Sequence, residues 1–324
     1  MRPLIASLIA TTVFAQAAFK PNAQLGVPAR VGSIVKVTGT NEVLEQGNLR
    51  ELTLASAELA LTFPNRVENV VAKADEKLLI LRGSLRNPEK TTVISLGPSA
   101  VIGLRLAARY TGTGKFTFVS HFDPATLQHV NHRLKGGESG EFVGVWRIPA
   151  DFSDFRLGVI SDKPLIVAWY DLTAHVGKLR GIFAAADGVG VNASAVVGAR
   201  TAVEIDGLEL APGGVSRPAR IAGAASDPSK PFHMVTLTAT NRMLLPVRWG
   251  WQYWTAELIG ADGSVTKAYP DLIDKATDRG WSGDLAAGAS TTSQILFYPN
   301  GVVQPRALRL TFLATGRWVE MGLR

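Results

Sequence analysis

The side chains best suited to chemistry lie close together in SHFDPATLQHVNH, where His121, His129 and His132 stand with Asp123. Neutral imidazole nitrogens and a carboxylate oxygen, two of the imidazoles three residues apart on one turn of chain, are donor types that hold a divalent ion. A metal-assisted enzyme using this loop is one reading. The matching stretch later in the chain, YPDLIDKATDRGW, has Asp271, Asp274 and Asp278 but no histidine, and it lacks the glycine-marked spacing of a calcium loop. A functional site duplicated with its domain would have kept its ligands, so a solvated loop is favoured in both places. There is no cysteine, which excludes disulfides, thiolate metal sites and a cysteine nucleophile. The chain has no GxSxG elbow, HExxH helix, P-loop or GxGxxG after a strand, so no catalytic residue is assigned and no cofactor is expected.

A second cluster could act by contact. In RWGWQYW, Trp249, Trp251 and Tyr253 alternate with Gly250, Gln252 and Trp254, so in a strand the first three share one face. A row of flat rings can stack on sugars or anchor a protein partner. Aromatic stripes in sandwiches are more often packing, and the core reading is favoured over the platform, which is kept as the binding hypothesis. The corresponding stretch of the first half, ISLGPSAVIGLRL, has no aromatic residue. On that ground Trp249 and Trp251 are expected to be at least half exposed.

These residues need elements to position them, and the pattern is all-β. Residues 78–88, LLILRGSLRNP, place Leu79, Leu81, Gly83, Leu85 and Asn87 in one phase, and residues 234–242, MVTLTATNR, place Val235, Leu237, Ala239 and Asn241 likewise. Each run offers apolar residues to a core, turns Arg, Ser or Thr the other way and ends at a turn-forming Asn. Short apolar runs separated by turn residues recur on both sides, and helical periodicity is confined to possible turns at Pro124–Leu134 and Pro270–Arg279.

Landmarks recur in order at an offset near 151: Leu59 with Leu210, Asn87 with Asn241, Leu134 and Ser139 with Leu285 and Ser290, Pro149 with Pro299, Leu157 with Leu308. The expected architecture is two tandem immunoglobulin-like β-sandwiches from duplication, spanning 18–172 and 201–324. A Gly- and Ala-rich connector at 173–200 would carry few contacts, so a fragment beginning near Gly198 is expected to fold alone. Over roughly 46–172 and 201–324 the chain resembles the telokin-like immunoglobulin-fold domains of secreted bacterial proteins. The resemblance rests on the alternating strand with its Asn-centred turn and on the turns LKGGES and LAAGAS before a later strand. The Cys–Trp–Cys core of antibody domains is absent. The resemblance implies a binding or adaptor role outside the cytoplasm, with no shared catalytic site to carry over.

Composition bounds the address and the partners. A chain of 324 residues can bury two ordinary cores without a staple. Residues 1–17 combine Arg2, the apolar run Leu4–Phe14 and Ala15-Gln16-Ala17, the pattern of a cleaved signal peptide. A secreted or periplasmic protein is expected, with no cysteine for a lipid anchor and no run long enough to span a membrane. The net charge of +7 is scattered among acidic residues. It suits solubility or weak attraction to an anionic surface, not nucleic acid. The leading expectation is a non-catalytic protein that binds a protein or cell-envelope polysaccharide; a purely structural spacer of the envelope is the other.

Overall fold

The computed structural model describes residues 19–31, 34–38, 43–47, 50–97, 103–107, 111–112, 114–160, 167–221, 224–225, 232–268, 272–276, 279–281, 283–297 and 304–323. Residues 1–17, read above as a signal peptide, lie outside the described residues, as do Pro270, Asp271, Asp278 and Pro299. The first half supplies β1 (Ala29–Val31), β2 (Arg50–Ala60), β3 (Glu76–Arg86), β4 (Ile94–Leu96), β5 (Gly103–Leu106), β6 (Thr117–Phe122), β7 (His132–Leu134), β8 (Ser139–Pro149), β9 (Arg156–Ile160) and β10 (Ala168–Asp171). They form a five-stranded sheet ordered β1-β2-β3-β8-β6, a three-stranded sheet β5-β9-β10 and the pair β4-β7, all antiparallel.

The second half supplies β11 (Ser194–Val197), β12 (Val203–Ile205), β13 (Leu208–Ser216), β14 (His233–Asn241), β15 (Val247–Trp249), β16 (Trp254–Gly260), β17 (Val265–Lys267), β18 (Leu272–Asp274), β19 (Arg279–Gly280), β20 (Gly283–Leu285), β21 (Ser290–Phe297), β22 (Pro305–Phe312) and β23 (Trp318–Gly322). The order is β12-β13-β14-β21-β18-β19 in one sheet and β11-β23-β22-β16-β17 in the other, with β15 paired to β20. In each half the two larger sheets enclose one apolar core, which makes each half a β-sandwich. Leu79, Leu81 and Leu85 of β3 meet Leu157 and Tyr170 across the first core, and Val235, Leu237 and Ala239 of β14 meet Leu308 and Val319 across the second.

The two Asn residues explain how each central strand ends. Asn87 Nδ2 donates to the carbonyls of Thr92 (2.8 Å) and Leu134 (3.0 Å), and its Oδ1 accepts from the Glu89 amide (3.1 Å). Asn241 Nδ2 donates to Leu245 (2.9 Å) and Leu285 (2.8 Å), and its Oδ1 accepts from the Met243 amide (2.8 Å). The backbones match as well: Asn87 and Asn241 receive the amides of Gly137 and Gly288 and donate to the carbonyls of Glu138 and Ala289. Both Asn residues are fully buried, and each side-chain amide satisfies three backbone groups, among them the buried Leu134 or Leu285 carbonyl. Leu134 with Leu285, Ser139 with Ser290 and Leu157 with Leu308 also occupy matching registers.

Leu59 and Leu210 do not match. Leu210 lies opposite Ala239, two residues before Asn241, and the first-half residue so placed is Leu52, opposite Leu85. A count of residues alone missed the length difference in the preceding strand. The phase expected for residues 78–88 also needs correction, because Leu78 and Ile80 are buried too. They pack on the outer face of the sheet against Phe63, Val70, Ala72 and Phe122, so this sheet is apolar on both sides there. Of the two expected helical turns, Pro124–Leu134 opens on a tight turn in which Asp123 Oδ1 accepts the amides of Ala125 and Thr126, and ends in β7. The described part of the other contains β18 and begins β19.

The stretch 173–200 carries a short edge strand, as expected of a Gly- and Ala-rich connector, but it also supplies core residues and more contacts than the few expected. Val176 and Leu179 belong to the first core, Phe183 to the second, and β11 pairs in parallel with β23. Its small residues let the chain run close against both halves. Further links cross directly: Asn69 Nδ2 donates to the Pro246 carbonyl (2.8 Å) and the Ala74 amide to the Thr315 carbonyl (2.7 Å).

Candidate functional site

The four residues of the metal reading do not converge. His121 is fully buried, its ring packed between Phe118, Phe142 and Trp146 with centroids 4.8–6.0 Å away. His129 Nδ1 is 2.8 Å from Ser120 Oγ and its ring stacks on Phe122. Only His132 meets Asp123, Nε2 to Oδ2 at 3.2 Å. The Thr126 amide is the first cause that holds the Asp123 carboxyl below the usual carboxylate range, and His132 adds to it. Strand alternation is the reason: β6 turns His121 inward to the core while His129 and His132 lie beyond the turn. Among the described residues no group of three or more His, Cys, Asp or Glu is arranged to hold a metal ion. The Ser120–His129 pair is not poised for attack on a substrate, because Ser120 is itself buried.

The aromatic row is broken as well. β15 ends at Trp249, and Trp251–Tyr253 form a single 3-10 turn before β16 begins, so the three rings do not share a strand face. Trp249 is fully buried, 5.3 Å from the Trp254 ring, and its Nε1 donates to Ser293 Oγ (3.4 Å). The expectation that it is half exposed is therefore corrected. Register explains why: Trp249 occupies the position that Leu96, also fully buried, holds in the first half. Trp251 remains 47% exposed, and Tyr253 is partly buried.

Tyr253 instead lines a cleft of about 790 Å3 between the two halves. On the first-half wall stand Arg147 and Thr117, opposite each other on β8 and β6, with Glu76 and Lys73. The Glu76 carboxylate is 3.9 Å from Arg147 Nε. On the second-half wall stand Tyr253 and the cross-strand pair Arg248 and Asp284. The Arg248 guanidinium lies 5.6 Å from the Tyr253 ring centre, and its Nη1 donates to the Tyr253 hydroxyl (3.2 Å). Val71, Val247 and Phe312 give the cleft apolar surface. A concave site with a few convergent polar groups on apolar walls is the ordinary form of a ligand pocket.

The floor is fixed by a buried ion pair. Asp206 and Gly207, at φ 53 and φ 81, form the two-residue hairpin turn between β12 and β13, which explains Asp-Gly in EIDGLEL. The turn aims the Asp206 carboxylate at Arg317, whose Nη1 lies 2.9 Å from Oδ1 and whose Nη2 donates to the Lys73 carbonyl of the first half (2.8 Å). The Thr315 hydroxyl donates to the other Asp206 oxygen. The Arg317 side chain is fully buried, and burial is the largest influence on Asp206, raising its pKa against the Thr315 hydrogen bond and the guanidinium. On the far side of this pair lies a second cleft of about 460 Å3.

Lys77 ties the connector down. Its ammonium donates to the carbonyls of Ala150 (2.9 Å), Phe152 (2.7 Å) and Val189 (2.5 Å), while the residue is fully buried. Burial pulls its pKa down to about 8, against attraction from Asp187 and Asp151. Sequence reasoning missed Arg147, Asp206, Arg317 and Lys77. Two signals were readable: the Asp-Gly turn, and a lysine in the inward phase of β3, where an apolar side chain belongs.

Sheets that close on common cores, a matched Asn clamp in each half and a cleft without a catalytic constellation among the described residues define an all-β protein of sandwich architecture. No protein-family model matches the chain, and no protein of curated function matches its sequence. Among solved structures it is similar to an uncharacterised β-sandwich protein from Clostridium difficile 630, at 11% identity over 40% of this chain and 93% of that one, with a TM-score of 0.29. At that score the likeness carries no argument. Among the described residues no helix is long and apolar enough to cross a membrane.

Proposed function

We propose that the chain is a secreted, non-catalytic binding or adaptor protein of the cell envelope, built from two tandem immunoglobulin-like sandwiches that arose by duplication. Its ligand, a partner protein or an envelope polysaccharide, lies in the cleft between Arg147 and Tyr253. The observation that carries this reading is the cleft itself: both halves contribute charged and apolar groups to one concavity, over a floor locked by Asp206 and Arg317. The repeated Asn clamp supports duplication, and the pattern at 1–17 supports export. The test is thermal melting of the protein with separated polysaccharide and protein fractions of a bacterial envelope. At least one fraction raises the melting temperature, because a ligand that binds only the native state stabilises it, and Tyr253→Ala removes the shift. No shift with either fraction, or a shift that Tyr253→Ala leaves intact, overturns the reading.

A further inference from the structure

We infer that the cleft ligand is a saccharide carrying carboxylate groups, an inference that rests on the binding reading above. The first argument is charge. With Asp206 neutralised by Arg317, the remaining lining residues comprise three cations, Lys73, Arg147 and Arg248, and two anions, Glu76 and Asp284. Among the described residues neither Lys73 nor Arg248 has a carboxylate within ion-pair distance, and Arg147 meets Glu76 only at 3.9 Å. The wall therefore offers guanidinium and ammonium donors that an incoming carboxylate would complete, in a protein whose net charge is +7. The second argument is the mixture of groups. Unlike a purely cationic site for a bare anion, this cleft also holds Asp284 and Thr117, acceptors for sugar hydroxyls. The Tyr253 ring and the apolar wall suit the C–H face of a pyranose.

A peptide with acidic side chains shares the carboxylate but not the sugar hydroxyls or the C–H face of a pyranose, and serves as the competing outcome. The experiment is titration calorimetry of the full chain with oligogalacturonate, maltohexaose and poly-glutamate of similar length. Oligogalacturonate binds, with affinity that falls as salt rises. Maltohexaose binds at least about tenfold more weakly, a difference of about 1.4 kcal/mol, and poly-glutamate does not bind in a Tyr253-dependent way. Lys73→Met and Arg248→Met each lower the affinity for oligogalacturonate about tenfold, while Arg242→Ala, outside the cleft, leaves it unchanged. Circular dichroism melts of the variants confirm that they are folded. Failure of oligogalacturonate to bind, equal binding of maltohexaose, or Tyr253-dependent binding of poly-glutamate overturns the inference. Because the melting test above uses whole protein and polysaccharide fractions, a shift there with failure here sinks only the saccharide assignment.

Discussion

The two halves end their central strands on the same Asn clamp, yet they fill the space beneath it with different residues. In the first half the relevant positions are Gly83, Leu96 and Phe142; in the second, by register, they are Leu237, Trp249 and Ser293. Gly83 has no room for a side chain, because a Cβ there would run into the Thr53 carbonyl and approach the Phe142 ring. The large ring thus comes from β8 in one half and from β15 in the other, where Trp249 also hydrogen-bonds the small Ser293. An interior must be filled to crystal-like density, but which strand supplies the volume is free to differ. The Trp that suggested a contact surface is therefore the second half's substitute for Phe142.

The outer faces of the same strands differ in another way. The first half pairs Arg82 with Glu58 and Arg86 with Glu51, at 2.9 and 2.7 Å. The positions of Ser84 and Arg86 are taken in the second half by Thr238 and Thr240, whose hydroxyls meet Thr292 and Ser290 at 3.0 and 2.8 Å.

The largest expected effect breaks the packing comparison. Trp249→Ala costs about 3–5 kcal/mol in urea unfolding, the ordinary loss for removing a buried aromatic. Trp249→Leu, which installs the first half's residue, is also destabilising, and adding Ser293→Phe restores at least about 1 kcal/mol, because contacting residues couple. If the second substitution makes matters worse, the exchange of volume is not real. Next come the clamps: Asn87→Ala and Asn241→Ala each cost about 2–3 kcal/mol, since each strands the buried Leu134 or Leu285 carbonyl and frees two further backbone groups. A loss in one half with none in the other would separate what the geometry joins.

Lys77→Met should cost about 2 kcal/mol by leaving the carbonyls of Ala150, Phe152 and Val189 without this donor, that of Phe152 in a buried setting. The unfolded chain, with the ordinary lysine value of 10.5, binds more protons than the native one between about 8 and 10.5. Stability therefore rises with pH across that window, and Lys77→Met flattens the rise. The smallest effects lie on the outer faces. Arg82→Ala costs less than about 1 kcal/mol, and high salt erases the cost. Thr238→Val stays within about 0.5 kcal/mol at any salt concentration. Equal salt sensitivity would mean that the faces are not different in kind.

The fold was legible where local chemistry repeats. Alternation in 234–242, Asn as a strand terminator and the common register of Ser139 and Ser290 are properties of neighbouring residues, and they survive into the structure. The site was legible only as Tyr253. Its other members come from separate strands and turns of both halves, and nothing adjacent to Arg147 or Lys73 in sequence announces a wall of a cleft. The aromatic row misled because strand geometry was assumed past Trp249, where the chain turns instead. The edge strand of the connector was legible, but its core residues Val176, Leu179 and Phe183 were not, because they are scattered through a Gly- and Ala-rich stretch.

Hydrogen–deuterium exchange with and without the envelope fraction that raises the melting temperature tests most directly whether the ligand is held between the halves. A ligand held there slows exchange in residues 69–77 of the first wall together with 246–254 and 312–317 of the second. Protection confined to one half, or to strand faces away from the cleft, would contradict it.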